Sequence, residues 1–137
     1  MTSNKFNLII SLGDKQAMIW NETKIDEICK NTEYKFKNEE AKKEFERIVT
    51  VKSSNDYGKL VLNFANRWAK CMQYLVENEK FDVFQAANET IDACKIKGID
   101  EFALGRSISV ISKTWKYGDN LKAWSIERRN QNIQKEL

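Results

Sequence analysis

A chain of 137 residues with 42% hydrophobic, 31% charged and 11% aromatic residues has the size and composition of one globular domain, which argues against wholesale disorder and against a membrane-embedded protein. Its net charge of +3, from 23 basic and 20 acidic residues, is close to balance, unlike a strongly basic nucleic-acid module or an acidic DNA mimic. The complete absence of histidine removes Ser-His and Cys-His nucleophile pairs, a histidine general base and any histidine-containing zinc site.

The N-terminal apolar run Leu8-Ile9-Ile10 is too short for a signal peptide and is soon followed by Asp14 and Lys15, so a cytoplasmic protein is expected. Residues 6–11 and 17–20 are apolar and β-prone, and they flank Leu12-Gly13-Asp14-Lys15, a turn-like stretch that predicts a short hairpin. Beyond it, with no proline and only five glycines in the whole chain, little forces a helix to stop. The expected fold class is mainly α: a compact helical domain of about five helices with a short N-terminal β-hairpin, α+β being the alternative.

Asn21 is placed to cap a helix over residues 22–30, with Ile25, Ile28 and Cys29 inward. A second helix starts at Asn38, carries acids early and charge pairs four apart, and buries only Ala41, Phe45, Ile48 and Val49. Lys52-Ser53-Ser54-Asn55-Asp56 is the most linker-like stretch. It divides an N-terminal part, residues 1–52, from a helical core, residues 53–137, within one compact domain.

From there the pattern strengthens. Leu60, Phe64, Trp68, Cys71, Met72 and Leu75 recur at three- and four-residue steps, while Asn63, Asn66, Lys70, Gln73 and Glu77 mark the opposite, solvated face of a long amphipathic helix. A helix over residues 81–97 turns Val83, Phe84, Ala87, Ile91 and Cys94 inward and is expected to end at Gly98. The next covers residues 99–117 with Leu104, Ile108, Ile111 and Trp115 as its core stripe. Gly118 then permits a break, and a last helix carries Leu121, Trp124 and Ile126 before a polar, fraying tail over residues 127–137.

Catalytic signals are missing. Cys29, Cys71 and Cys94 are odd in number and widely spaced, matching neither a disulfide framework nor a metal knuckle, and read as reduced core thiols. Glu89 and Asp92 share a helix face but lack a third ligand, and no phosphate loop or nucleophile elbow occurs. No enzyme, no metal and no cofactor is therefore expected. Trp68, Trp115, Trp124, Phe64, Phe84 and Phe102 occupy apolar stripes and read as core rather than as base-stacking platforms. Arg106, Ser109, Lys113 and Lys116 fall on one stripe, followed by Lys122, Arg128 and Arg129, which suits phosphates or an acidic protein patch. Gly105, inside a helix, suggests close approach by a neighbouring helix, the simpler cause, or by a ligand.

The stretch Gly98-Ile99-Asp100-Glu101-Phe102-Ala103-Leu104-Gly105, with Trp115-Lys116-Tyr117-Gly118-Asp119-Asn120-Leu121-Lys122-Ala123-Trp124 following it, resembles a family of small proteins encoded by phages and prophages of low-GC Gram-positive bacteria. So does the Trp68-Ala69 pair within residues 64–72. The resemblance covers residues 57–124; many relatives carry a His-Glu-Ala-Asp run where this chain reads Asp92-Ala93-Cys94-Lys95, and residues 1–50 match nothing and read as a lineage-specific addition.

A phage context implies a counter-defence protein in the host cytoplasm, an anti-CRISPR-like inhibitor binding a host defence protein or nuclease complex stoichiometrically, without membrane or cofactor. Its contact residues are expected among Arg106, Lys113, Lys116, Lys122, Trp115 and Tyr117, or on the N-terminal ribbon. Two rivals remain. One is a nucleic-acid-binding regulator using Arg106, Lys113, Lys116 and Lys122 on phosphates. The other is a sponge for a nucleotide immune signal, with a pocket near Trp115, Tyr117 and Arg106 at a subunit interface. Homo-oligomerisation is open in either case.

Overall fold

The computed structural model describes residues 20–136, with side chains as far as residue 132. Six α-helices follow one another: α1 (Glu22–Asn31), α2 (Glu39–Lys52), α3 (Asp56–Asn78), α4 (Val83–Cys94), α5 (Glu101–Thr114) and α6 (Gly118–Glu136). Apart from Trp20, the expected hairpin lies outside the described residues. Among those described there is no strand, only a single antiparallel bridge between Phe36 and Trp115.

Helix starts follow local chemistry. Asn21, Asn38, Asn55, Asp82 and Asp100 each accept a hydrogen bond from a backbone N–H in the first turn of the helix they precede. At α4 the cap is reciprocal, because the Gln85 side chain accepts from the Asp82 N–H while Asp82 accepts from the Gln85 N–H. Helix ends depart further from expectation. α4 stops at Cys94 rather than at residue 97, and Gly98 instead takes φ +99° in the turn before α5. α5 ends at Thr114, and α6 runs through the segment expected to fray.

α3 is the central element. It packs against α1, α2, α4 and α5, while α6 lies against α4 and α5. Phe64, Trp68, Ala69, Cys71, Met72 and Leu75 are fully buried in one core that also takes Ile25 and Ile28 of α1, Tyr34, Ile111 of α5 and Leu121 of α6. The Trp68 indole N–H donates to the Thr90 hydroxyl at 2.9 Å, and the Trp124 ring meets Trp68 edge-on at 5.7 Å. Aromatic burial of this kind dominates the energetics of a small core. Arg67 pins α1 to α3 by donating to Asp26 at 3.0 Å and Glu22 at 3.3 Å.

Gln73, expected on the solvated face of α3, is buried. Segment 33–37 covers that face. The Gln73 side-chain oxygen accepts from the Trp115 indole N–H at 3.0 Å and from the Lys35 backbone N–H at 3.1 Å, and its amide group donates to the Glu33 carbonyl at 2.6 Å. Lys116 N–H to Lys35 O and Lys37 N–H to Thr114 O complete a seam between this segment and the α5–α6 turn. Gln73→Leu leaves the buried Trp115 indole N–H and two part-buried backbone groups without this partner, so a loss of about 2 kcal/mol in urea unfolding is expected. A loss below about 0.5 kcal/mol would mean that water replaces the amide, since a bridging water is nearly as good as a direct bond.

Gly118 makes the turn between α5 and α6 tight. A Cβ there would lie 2.5 Å from the Ser112 carbonyl oxygen and 2.7 Å from that of Ile111, both backbone atoms. The glycine of the Trp115–Gly118 motif is thus dictated by the close approach of two helix ends, which lets α6 fold back along α5.

Candidate functional site

Between α5 and α6 lies a cleft of about 520 Å³, well inside the size range of small-molecule sites. Its apolar lining comes from Leu104, Ile108 and Ile126, and three serines, Ser109, Ser112 and Ser125, also line it from the two helices. Five cations also line it: Lys37, Lys113, Lys122, Arg128 and Arg129. The two carboxylates present are already engaged, Asp119 with Lys37 at 2.7 Å and Glu101 with Arg128 at 3.2 Å. Lys37, hydrogen-bonded to Asp119, holds that carboxyl below the usual range. Lys113, Lys122 and Arg129 form no ion pair among the described residues, so the cleft carries uncompensated positive charge.

Two further features mark the wall formed by α5. Ser107 and Thr114 bond back to carbonyls four residues earlier, but the buried Ser112 hydroxyl has no partner among the described residues. An unpaired buried polar atom costs free energy unless something else satisfies it. Gly105 is the second feature: a Cβ built on it meets nothing within 4 Å. Close helix packing, the simpler expectation for this glycine, does not hold, and the missing side chain instead widens the cleft. Gly105→Ala is therefore expected to stabilise the fold by about 0.5–1 kcal/mol, raising the melting temperature by a few degrees. A lowered melting temperature would show that the space beside Gly105 is taken.

With the geometry in place, comparison with known proteins narrows the reading. A family profile described as the Type I Thoeris inhibitor Tad4 matches residues 34–136, three quarters of the chain. The chain belongs to the Tad4 family. No curated protein and no solved structure matches it. The expected phage counter-defence context is thereby supported, but the family's printed target is Thoeris, so the anti-CRISPR expectation gives way to a Thoeris inhibitor. The Tad4 match begins at Tyr34 and so includes α2, which had been read as part of a lineage-specific addition.

In this Tad4-family fold the expected contact residues are separated. Lys113 and Lys122 both line the cleft, whereas Arg106 does not: its guanidinium lies over the Phe102 ring at 5.0 Å, and it meets Lys113 only at a smaller depression between α2 and α5, with Glu44, Arg47 and Val51. Trp115 is fully buried and bonded to Gln73, so it is unavailable to a partner. Tyr117 donates to Glu77 at 2.7 Å, and burial together with that bond pushes its hydroxyl up to about 12. Lys116 lies over the Tyr117 ring at 5.5 Å. The reason is the end of α5 at Thr114, which takes residues 115–117 off the helical stripe that the sequence periodicity extends through them.

Lys37 and Ser125 were not singled out from the sequence. Lys37 meets Asp119 across 82 positions, a relation no local pattern carries. Glu89 and Asp92 do not act as a pair either: Glu89 accepts from the Trp20 indole, and Asp92 faces Lys95. All three cysteines are free thiols, with Cys71 and Cys94 buried and Cys29 half-buried. The Cys29 thiol is pushed up by its contact with the Cys71 thiol and by burial, the opposite of what a nucleophile requires. Among the described residues no helix is long and apolar enough to cross a membrane.

Proposed function

We propose that this Tad4-family protein acts against Thoeris by sequestering a phosphate-bearing nucleotide signal in the cleft between α5 and α6. The observation that carries the reading is a concave site of about 520 Å³ in which, among the described residues, Lys113, Lys122 and Arg129 form no ion pair and the Ser112 hydroxyl buried in its wall has no hydrogen-bond partner. Phosphate oxygens suit the three cations, because a hydrogen bond between ionised groups is about twice as strong as a neutral one. Sugar hydroxyls suit the serines, and Leu104, Ile108 and Ile126 offer apolar cover. Binding alone suffices for inhibition, provided the protein is present in excess over the signal.

Among the readings open at the start, sequestration is favoured over docking on nucleic acid because the cations gather in a pocket rather than along a ridge. A duplex or single strand needs a continuous basic track, whereas here Lys116 is drawn over the Tyr117 ring and Arg106 lies outside the cleft, over Phe102. The test is to purify the protein from cells in which type I Thoeris has been triggered, denature it, and analyse what is released by mass spectrometry. A phosphate-bearing compound in about equimolar amount is expected. Ligand-free protein that nonetheless blocks the defence, or that co-purifies with a Thoeris protein, would replace sequestration with protein docking.

A further inference from the structure

Four large hydrophobic side chains are exposed among the described residues, Phe102 at 63%, Val51 at 59%, Ile126 at 44% and Tyr57 at 43%, and they are not scattered. Phe102 opens α5 and stacks on Tyr57 at the start of α3, with ring centroids 6.3 Å apart. Arg106, one turn on, lies over the Phe102 ring at 5.0 Å and lines a depression with Val51 at the end of α2. Ile126 of α6 shares the neighbouring cleft with Glu101 and Leu104 of α5. Helices α2, α3 and α5 thus contribute to one exposed apolar surface around the first turns of α5, and clustered exposure of this kind marks an interaction surface.

The charges bordering this surface are of both signs and are ordered. At one end stand the exposed carboxylates of Asp56 and Asp100, with Glu101 already paired to Arg128; at the other is Arg106, beside the Glu44–Arg47 pair and without an ion-pair partner of its own among the described residues. From these observations we infer that the face is an isologous interface with a second copy of this chain, built around the Phe102–Tyr57 pair. In an antiparallel crossing of two α5 helices beside Phe102, Arg106 of one copy lies toward the N-terminal, acidic end of the other, and the two-fold axis makes each such contact twice. Arg106 then meets the acidic end of its partner while the aromatic pairs close over one another. That self-complementarity argues for a second copy over an unrelated protein, and aromatic side chains with arginine are the residues enriched at interface centres. The inference is independent of what the cleft binds.

Sedimentation velocity on the full chain tests it without any ligand. The wild type is expected at twice the 16.0 kDa chain mass. Phe102→Glu, a change at an exposed position, is expected to sediment as a monomer with unaltered helical circular dichroism. Arg106→Glu is expected to weaken the dimer at least about tenfold, and adding Asp56→Lys to it to restore much of the loss, as a coupled pair of contacts should. A wild type that stays monomeric at high micromolar concentration, or a dimer indifferent to both Phe102→Glu and Arg106→Glu, overturns the proposal. A dimer broken by Phe102→Glu but not rescued by the charge exchange rejects the antiparallel arrangement.

Discussion

Gly58→Ala is expected to destabilise the protein by about 3 kcal/mol, near the upper end for overpacking, and to lower the melting temperature by roughly 10 °C. Gly58 is buried in the first turn of α3, where its N–H donates to the capping Asn55 side chain at 2.7 Å. A Cβ at this position would sit 1.8 Å from the Lys52 carbonyl oxygen and 2.6 Å from its carbonyl carbon. Neither atom belongs to a side chain that can rotate away. Relief requires that the end of α2 move off the start of α3, and the cap at Asn55 and the buried contacts of Ile48 lie next to that joint. Gly105→Ala is the internal control, because the same chemical change there should act in the opposite direction. Thermal unfolding of the two variants side by side would settle the matter, and a loss under about 1 kcal/mol for Gly58→Ala would show that the joint yields easily.

Charge reversal at Lys113 and Lys122 together should abolish signal binding, with affinity falling by at least about a hundredfold, equivalent to roughly 2.7 kcal/mol. Each lysine can supply one charge-assisted hydrogen bond of about 1.5–3 kcal/mol to an anionic ligand, reduced here because both side chains keep contact with water. Both positions are exposed, on α5 and α6, so the fold should tolerate the change. Isothermal titration with the compound released from the wild type would read the affinity, and protection of phage in Thoeris-bearing cells would read function. Retained affinity in Lys113→Glu/Lys122→Glu would place the ligand elsewhere. Retained protection despite lost affinity would separate inhibition from sequestration.

Much of the fold was legible in the sequence because it is locally encoded. Caps at Asn21, Asn38, Asn55, Asp82 and Asp100 and apolar stripes such as that through Phe64, Trp68 and Leu75 act within a few residues, so their consequences could be read position by position. Phe102 was misplaced in the core because its stripe is apolar, although in the fold only Tyr57 and Arg106 are seen against its ring and it stays largely exposed. Gln73 was misplaced at the surface because the segment that buries it lies about 40 positions away. The site was legible only in part. Lys113 and Lys122 could be suspected from charge and Gly105 from its cost in a helix, but nothing local showed that they share one cleft.

What the sequence by itself determined is therefore a helical protein without histidine chemistry, its helix starts, most of its core and a set of basic residues near the α5–α6 turn. Periodicity and capping are short-range properties of the chain. What only the tertiary structure decided is which of those basic residues act together. The tight turn at Gly118 folds α6 back on α5, segment 33–37 buries Gln73 and Trp115 and brings in Lys37, and Arg106 is left on the apolar face beside Phe102. Those relations depend on contacts between residues far apart in sequence, and such contacts leave no repeating trace in the order of the amino acids.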